Sequence, residues 1–260
     1  MLPVAGAVIA AALFAQGVAR LRSRGRADVA GWDRVAVFAL GLAVALVALV
    51  SPLDQLAEGK LLSAHMLQHV LIGDMAPALL VFAVRGPMLV FLLPAAVLAP
   101  LARNGGVRRV LGTLLIPWVA FGLWALNLAV WHIPALYDAA LRHPVLHDFE
   151  HFCWLLAGTL VWVLLIDPGR HRRLTVGGRV ALAAALFATG QVLTDVLVFS
   201  FHPLYPAYQG AYGLSALTDQ QLSGVVMMVE QLLMLGICVT LLLRPRFRRV
   251  GAARLEPSRA

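Results

Sequence analysis

The chain has 260 residues, 61% of them hydrophobic and 13% charged, with a mean hydropathy of +0.84, a composition that no water-soluble globular domain sustains. Its net charge of +8 comes from 21 Lys and Arg against 13 Asp and Glu, but the cations stand in short clusters between long apolar runs. They read as topology signals rather than as a nucleic-acid surface, and two cysteines inside apolar runs, Cys153 and Cys238, make neither a disulfide framework nor a four-thiolate metal site.

In chain order, eight apolar runs stand out as candidate crossings, at 3–19, 34–51, 60–83, 87–101, 110–131, 145–166, 178–201 and 219–243. They are apolar all round, without period-two alternation, which excludes a membrane barrel. The first run has no basic residue before it and Arg20, Arg22, Arg24 and Arg26 after it, so it reads as a retained span rather than a signal peptide. Cytoplasmic loops are enriched in Lys and Arg, which puts residues 20–26 inside and the N-terminus outside. The fourth run is short and carries Pro87, Pro94 and Pro100, each lacking a backbone donor. If 87–101 dips into the bilayer or lies along it, then Arg85, Arg103, Arg108, Arg109, the cluster from Arg170 to Arg179 and the C-terminus all face the cytoplasm. The expectation is an all-α polytopic transmembrane bundle of seven spans plus one re-entrant or interfacial segment. It forms a single domain over 1–243, followed by a disordered basic cytoplasmic tail over 244–260.

An ionisable side chain within a span costs at least about 2.5 kcal/mol on insertion scales, so each needs a reason. His65 and His69 lie near the start of the third run, and His147 and His151 near the start of 145–166. At about 1.5 Å per residue the two pairs fall at overlapping depths, on helices running in the same sense. Spacing of i,i+4 puts each pair on one helix face, where two imidazoles can share a metal ion; a polar network that fixes helix packing is the other reading. Met66 offers a soft thioether beside imidazole, which suits copper, although Met in an apolar helix also fills gaps. His147, Glu150 and His151 share one stripe, and Asp219, Met227 and Glu230 another. Asp195 and Glu230 are acceptors that can orient a ligating ring. His132 and His202 sit at span ends, where water satisfies them, and Trp131, Tyr137, Tyr205, Tyr208 and Tyr212 read as an outer aromatic belt.

The segments SPLDQLAEGKLLSAHMLQHVLIGDMAPALL, WHIPALYDAALRHPVLHDFEHFCWLLAGTLVW and DQQLSGVVMMV resemble the CtaG family of cytochrome c oxidase assembly factors, over about residues 51–243. The matching positions are Ser63, His65, Met66, Gln68 and His69, then Trp131, His132, Pro134, Tyr137, His147, Glu150 and His151, then Asp219, Gln220 and Gly224. The resemblance implies a multi-pass protein of the bacterial inner membrane, not an enzyme, whose partner is a heme–copper oxidase subunit and whose cargo is copper.

The expected metal ligands are therefore His65, His69, His147 and His151, with Ser63, Met66, His132, Glu150, Asp195, Asp219, Met227 and Glu230 as auxiliary residues. Zinc is the alternative metal. The alternative function is a zinc-dependent seven-span intramembrane hydrolase in which Ser63, the paired histidines and Asp195 activate water against a lipid bond. A bis-histidine heme ranks last, because two i,i+4 histidines on one helix cannot ligate opposite faces of one heme.

Overall fold

The computed structural model describes the backbone of residues 2–255 and the side chains of residues 3–244. Among the described residues there is no strand. The helices are α1 (Leu2–Ser23), α2 (Trp32–Val50), α3 (Pro52–Ala57), α4 (Leu62–Val70), α5 (Ala76–Ala83), α6 (Met88–Phe91) and α7 (Ala95–Arg103), followed by α8 (Gly105–Leu114), α9 (Pro117–Trp131), α10 (Pro134–Arg142), α11 (Pro144–Ile166), α12 (Val176–Phe199) and α13 (Ala216–Leu255). Six helical stretches are long and apolar enough to cross a membrane, and the bent pair α8 and α9 makes a seventh if it is one broken span. The chain is a multi-pass helical membrane protein.

The helices refine the runs read along the sequence in three places. The run 110–131 is not one helix: α8 and α9 meet at 69°. Pro117 opens α9, and Ile116 before it is extended, with φ −70° and ψ 126°, as the ring of a following proline demands. The 15 residues of α9 span only about 22 Å at 1.5 Å per residue, short of a hydrocarbon core of about 30 Å. The run 87–101 is broken into α6 and α7 and is not among the stretches fit to cross, in keeping with the expected segment that does not span. Finally, α13 continues as helix to Leu255, into the segment expected as a disordered tail; residues 256–260 of that tail lie outside the described residues.

The third span, 62–83, is continuous but widens to a π-turn over Leu71–Met75 between α4 and α5. Pro77 explains it, since its missing N–H leaves the Gly73 carbonyl without an i+4 donor. That carbonyl occupies the space a Cβ on residue 158 would need, so glycine at 158 lets α11 approach to backbone contact. The α4–α11 separation, and with it the spacing of the two histidine pairs, is set at this contact.

The ends of the bundle differ in charge. At one end the Arg34 guanidinium donates to the carbonyls of Ala83 (3.4 Å) and Arg85, Arg179 pairs with Asp167 at 2.7 Å, and Arg173 donates to the Leu115 carbonyl at 3.3 Å. These bonds draw together the α1–α2 turn, the end of α5, the α8–α9 junction and the α11–α12 turn. The starts of α4, α11 and α13 lie at the opposite end, where the histidines are.

Candidate metal centre

Four imidazoles meet inside the bundle. His65 and His69 on α4, and His147 and His151 on α11, are all buried. Ring centroids are 4.3 Å apart for His65 and His69, 4.1 Å for His147 and His151, 5.3 Å for His65 and His147 and 5.7 Å for His69 and His151. The ligand atoms of His65, His69 and His151 fall within 4.8 Å of one another, as do those of His65, His147 and Glu150.

The hydrogen bonds around the rings decide where their lone pairs point. Tyr208 donates its one phenolic proton to the Ala57 carbonyl at 2.5 Å, so His65 Nδ1, 2.9 Å from the phenol oxygen, is the donor in that contact. The Nε2 of His65 therefore carries a lone pair, and His69 Nε2–H donates to it across 2.8 Å. His147 Nδ1 lies 3.3 Å from Glu58 Oε1; with that nitrogen as donor, its Nε2 is also free. Three buried nitrogens, His69 Nδ1, His147 Nε2 and His151 Nε2, have no hydrogen-bond partner, and neither does Glu150 Oε1, 3.4 Å from His69 Nε2 without hydrogen-bond geometry. Buried polar atoms are normally paired. His147, held through Nδ1–H by an outer acceptor with Nε2 free on the inner side, has the arrangement seen in metal-ligating histidines, and His65 takes it up once the His69 proton leaves its Nε2. Imidazoles plus one carboxylate suit a first-row metal ion, while Nε2 atoms 2.8 Å apart leave no room for a heme between His65 and His69.

The auxiliary residues scatter. Asp219 at the start of α13 caps α4: its carboxylate accepts from Leu62 N–H (2.6 Å), Ser63 N–H (3.1 Å) and the Ser63 hydroxyl (2.5 Å). Ser63 and Asp219 thus position His65 without reaching the cluster. Asp195 is exposed on α12 and accepts only from Gln191. Met66 Sδ stands 3.4 Å from His132 Nε2, and Met227 and Glu230 line a cavity beneath His69. Gln68 ties α4 to α2 and α3 by donating to the Ala48 carbonyl and to Asp54. Gln220 holds the α12–α13 loop by accepting from Leu204 N–H at 2.6 Å.

Two expectations from residue type need correcting. His132 is not a water-satisfied end residue: it is buried, its ring is 6.5 Å from that of His69, and its Nδ1 donates to the Leu128 carbonyl at 2.8 Å. The outer aromatic belt is mostly interior. Tyr137, Tyr205, Tyr208 and Trp131 are buried and only Tyr212 is exposed, because the loop after α12 folds back over the cluster. There Tyr205 donates to the His132 carbonyl at 3.1 Å, and the Tyr137 ring lies 4.9 Å from His65. Burial pushes the Tyr205 and Tyr208 phenols above their ordinary range, so each remains an O–H donor. The sequence reading also passed over Asp74, which accepts from Trp162 Nε1 at 2.5 Å and shares the cavity with Glu230. An acid inside a span was the available signal.

Comparison with curated proteins and with solved structures returns no match to this chain. The family model described as cytochrome c oxidase caa3 assembly factor (Caa3_CtaG) matches residues 12–249, nearly the whole chain and every histidine of the cluster. The family is one of assembly factors, not a known enzyme class. On that match the chain belongs to the Caa3_CtaG family of cytochrome c oxidase assembly factors.

Proposed function

We propose that this assembly factor holds copper as cargo at the cluster of His65, His69, His147 and His151 and passes it to a maturing heme–copper oxidase subunit. The observation that carries the reading is the set of orphaned inner nitrogens, with the His65 and His147 rings held from outside by Tyr208 and Glu58. Without a thiolate in the set, ligation is exchangeable, which delivery requires; Cys153 and Cys238 take no part in either metal-capable group. The gathering of arginines at the far end of the bundle supports a topology with that end in the cytoplasm and the histidine end facing outward, in a bacterial inner membrane. The recipient then meets the histidine end from outside.

The test is metal analysis of detergent-purified protein together with the copper content of the oxidase in cells carrying His69→Ala or His151→Ala. The expected result is membrane insertion at the wild-type level, loss of bound copper from the purified variants and a copper-deficient oxidase. Normal oxidase copper in both variants refutes the reading, and stoichiometric zinc in the purified wild type transfers it to zinc.

A further inference from the structure

Beside the histidine cluster lies a second group of donors that is softer. A cavity of about 30 Å³ is lined by Met66, His69, Asp74, His132, Met227 and Glu230 among others. That volume suits one or two water-sized occupants, so it admits a single ion and excludes heme, lipid or any organic substrate.

The donors facing it are arranged in an unusual way. His132 gives its Nδ1 proton to the Leu128 carbonyl, so its Nε2 carries a lone pair, and that lone pair meets the Met66 sulfur at 3.4 Å. A thioether has no proton to offer. Two lone-pair atoms therefore confront each other inside a membrane helix bundle with no hydrogen between them. With metal bonds of about 2.0 Å to imidazole nitrogen and about 2.3 Å to sulfur, ligand atoms 3.4 Å apart subtend roughly 105° at an ion, close to tetrahedral. Met227 brings a second thioether to the same cavity. His69 belongs to both places: its Nε2 bonds His65, its ring lines the cavity, and its Nδ1 has no partner. Beyond the sulfurs, Asp74 and Glu230 bring carboxyl oxygens to the inner side of the cavity.

We propose that Met66, His132 and Met227 form a second site for one cuprous ion, adjoining the histidine cluster and joined to it through His69. Thioether with imidazole selects monovalent copper over zinc, whose protein ligands are thiolate, imidazole and carboxylate. The inference rests on the cluster being a copper site and assigns it a neighbour: the ion passes between the imidazoles of the cluster and the sulfurs beside them, and the oxidation state carried is Cu(I).

The experiment loads detergent-purified full-length protein anaerobically with Cu(I), removes the excess, counts copper per chain and records X-ray absorption at the copper edge. Wild type is expected to hold two coppers per chain with sulfur among the nearest neighbours. The pair Met66→Leu and Met227→Leu, which conserves side-chain volume, is expected to hold one copper with nitrogen and oxygen neighbours only. In His147→Ala with His151→Ala, the sulfur-bound copper is expected to remain and the other to be lost. One copper without sulfur in the wild type overturns the second site and leaves the cluster standing. A His147→Ala, His151→Ala double variant that keeps both coppers overturns the cluster as a site and leaves the sulfur site standing, and no copper uptake by the wild type overturns both.

Discussion

Asp219 offers the sharpest stability test, because one side chain from the last span closes the start of the helix that carries His65 and His69. Replacing it with alanine strands three buried donors: the N–H groups of Leu62 and Ser63 and the Ser63 hydroxyl. Polar contacts between membrane helices average about 0.6 kcal/mol each, which gives a lower figure of about 2 kcal/mol. A cost of about 1 kcal/mol for each donor left unpaired gives about 3 kcal/mol. Ser63→Ala removes only the hydroxyl contact and should cost about 1 kcal/mol or less. Asp219→Asn keeps one carbonyl oxygen as acceptor and should fall between the two. Unfolding of purified protein by titration with a denaturing detergent ranks the three variants, and the copper content of each shows whether a frayed α4 loses the metal. Equal midpoints for Asp219→Ala and Ser63→Ala would refute the argument that Asp219 is the cap on which the histidine geometry depends.

Tyr208→Phe removes the nearer of two acceptors for His65 Nδ1 and leaves the ring on the Ala57 carbonyl at 3.3 Å; metal affinity should fall, by up to about 10-fold, with the fold intact, as titration against a competing chelator will show. Gly158→Ala drives a methyl into the Gly73 carbonyl. It should destabilise the bundle by about 1–3 kcal/mol and lower metal stoichiometry together with stability, whereas Gly236→Ala, with open space around residue 236, should change neither. A periplasmic reporter fused after residue 244 should be inactive and a cytoplasmic one active, and the reverse pattern would overturn the topology.

The bundle was legible in the sequence because length and hydropathy alone fix which stretches can cross, and the four histidines because i,i+4 spacing at matched depth survives folding unchanged. What the sequence hid depends on tertiary approach. Pro117 and Pro77 look alike as letters in apolar runs, yet the first breaks the chain by 69° and the second is absorbed in a π-turn. The difference is that the span containing Pro77 rests against α11 at Gly158. Tyr137, Tyr205 and Tyr208 sit at span ends, where aromatic residues usually mark the water boundary. The fold-back of the loop held by Gln220 turns Tyr205 and Tyr208 inward, and they cover Tyr137 on α10. His132 was misread for the same reason, since its burial comes from Tyr205 and α4 rather than from its own helix.

The protons already parked on Nδ1 of His65 and His132 have an electrical consequence. Because the nitrogens that face inward on these rings bear no hydrogen, an arriving cation displaces none from the rings themselves, and any proton it releases comes from His69 Nε2 or from the carboxyl groups of Glu150, Asp74 and Glu230. Retention then depends on how well those groups offset the cation's charge in a low-dielectric interior.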